Sequence, residues 1–370
     1  MLTDADVLAA VDRNRDAAET TLRFVHEHPE LGHEERECAR HLVQVLAGAG
    51  LTTEPGIAGM STAFRATLTG ESPGKSVGVV ALYDAVPVFR PDGRIEPVHS
   101  CGHDAIAGGV VAAALALAEL RDRLEGSLVV FGCPADEIPA PGTVRLGGGK
   151  ALLADGGFWD GLDAALYAHP EFENTVFARS RWMRRDRMMV TGSRSLTGDA
   201  EAPLEAIRTA IAAVRSLPPA DAIVENLALD GDVEEGGGLV LRAHFLLRAD
   251  ERARLDELAS QLRKAVPSAS WESDADVCGL RPDARVADAV RDAVRALGQE
   301  FVDDPGMLPF GTDFGNVSQC VPAALIGVGR PGGWAFHTDE GARQFAEDGP
   351  DCALSIARVL ALATVRLLAP

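Results

Sequence analysis

The side chains in this chain that can bind a cation or move a proton fall just after short apolar runs. Cys101 and His103 sit in HSCGHDAIAG (99–108), a glycine-containing loop ahead of a helical run, where a thiolate and an imidazole can converge on one point. Asp136 and Glu137 follow directly on SLVVFGC (127–133) and Pro134. One carboxylate of such a pair can hold a cation while the other, pointing elsewhere, handles a proton. His169 ends AALYAH (164–169), and His337 lies in GGWAFHTDE after PAALIGVG (322–329). Singly, each of these is an ordinary core thiol, loop histidine or solvated carboxylate. Together, a Cys, three His and a carboxylate at strand ends point to a two-metal site, because hydrolysis can use paired ions to polarise a carbonyl and activate water. GGGK (147–150) invites a phosphate-loop reading and fails it. The glycine required five positions before Gly149 is Val144, and Ala151 stands where Ser or Thr would hold magnesium.

The elements that must position these groups follow from periodicity. Helical spacing from Leu2 to His28, with Thr3 and Asp4 as possible caps, and from Glu34 to Leu46 predicts two helices first. Strands at 76–83, 127–133 and 164–169 then alternate with helices at 105–120 and 150–153, which indicates a mostly parallel sheet wrapped by helices. Between about Arg185 and Cys278 the rhythm changes to strand, helix, strand, strand, helix, strand (187–192, 203–217, 223–229, 239–249, 251–266, 270–277), close to the ferredoxin-like order. After Leu280 the first pattern resumes with a helix at 284–297, the strand 322–329 and a last helix from Asp351. The expected organisation is an α/β domain from 1–184 and 280–370, with 185–279 inserted.

With 370 residues, 46% of them apolar, the chain can bury a large core, and a disordered tail or small disulfide scaffold is excluded. Its net charge of −20 repels a phosphate backbone, so nucleic acid is not an expected partner. The charged start and the absence of an uninterrupted apolar span of about 20 residues argue against a secretory signal and a membrane helix. A cytoplasmic protein is expected. The six cysteines show no short paired spacing, against a disulfide framework or a four-cysteine zinc knot.

Seven segments in order, HPELGHEE (28–35), YDAVP (83–87), HSCGHDAIAG (99–108), GCPADE (132–137), AALYAHP (164–170), TDFGNVS (312–318) and FHTDE (336–340), make the chain resemble the metal-dependent aminoacylase and carboxypeptidase G family. Within it, the likeness is to the amidohydrolase branch that includes aminobenzoyl-glutamate hydrolases, auxin-conjugate hydrolases and a β-alanyl dipeptidase. The resemblance implies a metallopeptidase domain with an inserted lid and dimerisation domain, and a homodimer. It implies metal ligands at Cys101, His103, Glu137, His169 and His337, with Cys101 bridging, Asp84 orienting a ligand, and Asp136 as general base. Two divalent ions are implied, zinc from the Cys and His donors or manganese from carboxylate and imidazole.

Departures accompany the matches. The family base is usually Glu, one methylene longer than Asp136. The family histidine that reaches across a dimer falls at Leu196, and its Asn-containing segment is replaced by Glu234-Glu235-Gly236-Gly237-Gly238. Compensation is sought in Arg181, Arg184 and Arg194, whose forks suit a carboxylate, and in Trp334 and Phe336 as walls of an acyl pocket. The run PLEAIRTAIAAVRSL, with Leu204, Ile207, Ile211 and Val214 at helical spacing, could serve a dimer contact or only its own sheet. The expected function is hydrolysis of an amide in an N-acyl or N-aminoacyl amino acid or related amine, with a single biosynthetic intermediate as one candidate substrate. The alternative is a family member that binds or regulates with hydrolysis weakened or lost.

Overall fold

Four runs rich in Val, Leu and Ala form the parallel centre of a seven-stranded sheet in the computed structural model, which describes residues 2–137, 145–192, 201–230 and 239–369. In spatial order the strands are Thr52–Pro55, Phe64–Thr69, Glu125–Gly132, Ser72–Ala81, Ala164–Glu171, Ala323–Gly329 and Thr175–Phe177. Burial on both faces explains why the central strands read as continuous apolar runs. The expectation of a mostly parallel sheet needs correction: the sheet is mixed. The three central pairings are parallel, while the three toward the edges are antiparallel. The physical reason is connection length. A parallel neighbour needs a crossover of a dozen or more residues, and only Phe172–Asn174 separates Ala164–Glu171 from Thr175–Phe177.

The helix His103–Glu119 is buried on nearly every side and packs against Arg15–Glu27 and Asp339–Leu368. The first helical run is broken at Asn14 into Asp4–Arg13 and Arg15–Glu27, and Thr3 caps the first with a reciprocal bond to Asp6. The last helix begins at Asp339 rather than Asp351. Gly341, Gly349 and Pro350 hide its start in the sequence, but Thr338 caps it by accepting the Gly341 N–H at 3.0 Å, and Pro350 sits inside the helix. Among the described residues, no helix is long and apolar enough to cross a membrane.

The chain divides into two compact units, one of residues 1–179, 280–307 and 313–370, the other of residues 180–279 and 308–312. In the second unit, Trp182–Gly192, Ala222–Asp230, Leu239–Ala249 and Ser270–Ser273 form an antiparallel sheet. The helices Glu201–Arg215 and Arg252–Ala265 pack on it over a core that includes Phe245, Leu247, Leu255 and Leu258. Ile207 and Val214 belong to that core, whereas Leu204 is exposed.

The arginines in and just before the Trp182–Gly192 strand have partners within their own unit. Arg184 is paired with Asp186, Asp256 and Asp276, Arg187 with Asp274, and Arg181 with Asp221 and Asp250. Forks filled this way hold the sheet and its helices together. Arg184→Ala strands the fully buried Asp186 with fewer partners, and it is expected to cost about 3 kcal/mol of stability. It should leave KM within about twofold. A thermal melt and steady-state kinetics read the two effects separately, and a raised KM with unchanged melting would return Arg184 to substrate binding. Arg194 and Leu196 lie outside the described residues.

Candidate metal centre and catalytic site

The central parallel strands deliver their following residues to one end of the sheet, the usual place for ligands in an α/β fold. Asp84 comes after Ser72–Ala81, Asp136 and Glu137 after Glu125–Gly132, His169 from Ala164–Glu171, and His337 after Ala323–Gly329. Cys101 and His103 flank Gly102, the residue before the long buried helix. Gly102 has φ +87°, and a Cβ there would lie 2.6 Å from the Phe345 ring, so glycine alone lets both side chains turn to the same side.

The structure brings all five of the expected ligand residues together. Cys101, His103 and His169 offer donor atoms within 4.8 Å of one another, and so do Cys101, Glu137 and His337. The Cys101 sulfur is common to both groups. It lies 3.6 Å from His169 Nε2 and 3.3 Å from His337 Nε2, and His337 Nε2 is 3.2 Å from Glu137 Oε1.

Hydrogen bonds fix which nitrogen faces the cluster. His103 Nδ1 lies 3.0 Å from the Asp84 carbonyl and 2.8 Å from Asp84 Oδ1; a carbonyl only accepts, so Nδ1 carries the proton. His169 Nδ1 donates to Pro170 O at 2.7 Å by the same argument. Asp84 Oδ2 also accepts the Glu137 N–H at 2.8 Å, so one buried carboxylate orients two of the five. His103 Nε2 is then a buried atom without a hydrogen-bond partner, 3.4 Å from Asp136 Oδ2 and 3.8 Å from Glu137 Oε1. Lone pairs converging in this way call for a positive charge between them. Burial opposes a charge on His103, but Asp84 and Asp136 outweigh it and hold its pKa well above the ordinary value. Burial and Glu137 push the Cys101 thiol up, so a thiolate there also needs a cation. A sulfur, three imidazoles and a carboxylate are a donor set that fits divalent transition-metal ions.

Asp136 is largely buried beside this cluster. Burial raises its pKa, but Lys150 and His103 together hold the carboxyl well below the usual carboxylate range. Trp334 is buried, stacked on Phe345 with ring centroids 4.1 Å apart, and covered by Arg330. Phe336 instead faces His169 and Phe172, at 5.8 and 5.9 Å.

Two residues escaped sequence reasoning. Lys150 pairs with Asp136 and Asp313, and Glu35, fully buried, accepts the Ala135 N–H at 2.9 Å. Ala135 has φ +57°, a conformation that costs a non-glycine residue energy, and Glu35 helps to hold it just before Asp136. Burial, then the Asp84 charge, raises the Glu35 pKa from 4.5 to about 8. The folded state therefore binds this proton more tightly than the unfolded chain. Its contribution is full below about pH 4.5 and is lost as pH rises through about 8. Glu35→Gln should flatten the decline in stability across that window, as read by urea unfolding at several pH values. An unchanged profile would show that Glu35 does not titrate there.

The chain is similar to several known proteins. Mouse Xaa-Arg dipeptidase is 27% identical over 353 residues, covering 85% of this chain and 77% of that protein. The N-acetyl-L-cysteine deacetylase of Bacillus subtilis is 29% identical over 153 residues, 40% of this chain and 34% of that protein. A solved dinuclear metal binding peptidase, also of Bacillus subtilis, superposes with a TM-score of 0.69 at 17% identity, covering 96% of this chain and 99% of that one. The aminobenzoyl-glutamate utilization protein of Klebsiella pneumoniae does so with 0.70 at 15%, covering 98% of each. Residues 78–361, which contain every residue of the donor cluster, match the model of peptidase family M20/M25/M40, and the chain belongs to that family.

Proposed function

We propose that this amide hydrolase cleaves the bond between an acyl or aminoacyl group and an amino acid or related amine, at a centre of two divalent ions. The observation that carries the reading is the Cys101 sulfur shared by two donor groups, with the orphaned His103 Nε2 turned to it. Cys101, His103 and His169 would hold one ion, and Cys101, Glu137 and His337 the other. When bound, zinc or manganese would polarise the scissile carbonyl and acidify a water. Asp84 keeps His103 and Glu137 in place. Asp136, through the oxygen not engaged by Lys150, accepts the proton of the attacking water and passes it to the leaving amine. Phe336 and Phe172 offer an apolar face to the acyl group. A reducing, cytoplasmic setting suits a centre that needs Cys101 as a free thiolate.

The test pairs elemental mass spectrometry with turnover of a panel of N-acyl amino acids and dipeptides, before and after chelation. Up to two ions per chain and activity lost with them are expected. Ions without turnover on any substrate would favour a binding role instead.

The second unit is proposed to act as lid and dimerisation domain. Support comes from the strand Ala222–Asp230, at the edge of its sheet, where Ile223, Val224 and Leu227 are exposed as Leu204 is. A dimer is expected in light scattering at micromolar concentration, and Leu227→Lys should dissociate it. A wild-type monomer would remove the pairing.

A further inference from the structure

Only three lysines, Lys75, Lys150 and Lys264, occur among 35 basic residues, and Lys150 is completely buried. A buried ammonium is costly unless it is paired, so its partners show its use. Nζ is ion-paired with Asp136 Oδ1 and, at 2.7 Å, with Asp313 Oδ1, and it lies 5.2 Å from the centre of the Tyr167 ring. Asp313 Oδ2 in turn accepts the backbone N–H groups of Lys150 and Ala151 at 2.9 and 3.2 Å. The glycines before Lys150 permit this approach. A Cβ on Gly148 would lie 2.2 Å from Asp313 Oδ2, and one on Gly149 would lie 2.4 Å from Pro134 O, to which Gly149 donates its N–H. The segment therefore grips both the loop that carries Asp136 and the carboxylate itself. A compact ammonium on a flexible stem can sit between two carboxylates in a closed slot, where the planar arginine fork used elsewhere in this chain is a poorer match.

With Oδ1 taken, Asp136 has Oδ2 left to face the donor cluster, 3.4 Å from His103 Nε2 and 3.4 Å from the Tyr167 hydroxyl. We infer that Lys150, anchored by Asp313 and the glycine segment, is a positioning residue that fixes the Asp136 carboxylate with Oδ2 turned to the site. The inference rests on Asp136 being the base of the proposed hydrolysis.

The test uses Lys150→Met with Asp313→Asn, which removes the ammonium and one carboxylate together and so leaves the buried net charge unchanged. Relative to wild type, kcat should fall about a hundredfold, the scale of a displacement near 1 Å, with KM and metal content nearly kept, while the unpaired Asp136 carboxylate lowers the melting temperature. Added to Asp136→Asn, the same pair should cost nothing further, because Lys150 acts only through Asp136. Near-normal kcat in the folded pair, or losses that add in full, would overturn the positioning role. Normal turnover in Asp136→Asn would overturn the base assignment instead. A second readout needs no activity. In metal-free, ¹⁵N-lysine-labelled protein, Lys150 should give a protected ammonium signal that shifts in Asp136→Asn. A fast-exchanging signal, or one unmoved by that change, would sink the inference even if the paired variant fails to fold.

Discussion

Asp136→Asn is expected to cut kcat by roughly 10²- to 10⁴-fold, the usual worth of a general base, while folding and metal content stay nearly intact. Asparagine keeps the size of the side chain, and its carbonyl oxygen can still accept from Lys150. The ammonium is left with Asp313, a balanced pair, so no uncompensated charge is buried. What disappears is the ability of Oδ2 to take a proton. Asp136→Glu restores the family's residue type yet lengthens a side chain whose far end is already held by Lys150. It should therefore lose activity as well, since a shift near 1 Å can cost about a hundredfold. Near-normal turnover in Asp136→Asn, on any substrate the wild type hydrolyses, would mean that another group removes the proton.

Cys101→Ser combined with His103→Ala should behave differently, removing most of the bound metal and with it nearly all turnover. Cys101 contributes to both donor groups, so its replacement weakens both positions at once, and His103 supplies the buried nitrogen that nothing else satisfies. Serine is small enough to leave the loop folded, and alanine relieves Asp84 of a partner without adding bulk. Elemental mass spectrometry on the folded double variant decides the matter, and full metal retention would refute the ligand assignment.

The donor residues were legible because their chemistry is rare and their places are regular. A thiol, imidazoles and carboxylates directly after apolar strands can be read without coordinates. The central strands and the β-α-β-β-α-β rhythm were legible for the same reason, each being a run with one dominant period. Edge strands such as Thr52–Pro55 and Thr175–Phe177 are short, and they declare themselves only by pairing with distant segments. Lys150 shows the limit most clearly. Tested as a phosphate loop, GGGK has the wrong spacing, and its meaning depends on Asp313, far along the chain. The arginines at 181 and 184 could be read as a cluster of charge, but the aspartates that occupy them are scattered from Asp186 to Asp276. Local patterns reveal which groups can react. Partner choice is set by tertiary contacts.

The span between Cys101 and His337 has a consequence for biosynthesis. The sulfur and the imidazole that meet at 3.3 Å are 236 positions apart, with the whole second unit made between them. At about 5–20 residues per second, a ribosome needs roughly 12 to 47 seconds to travel from one codon to the other. Throughout that interval the emerging polypeptide carries Cys101 and His103 without their last companion. The donor group of Cys101, Glu137 and His337 is therefore completed only once residue 337 has been made, long after that of Cys101, His103 and His169.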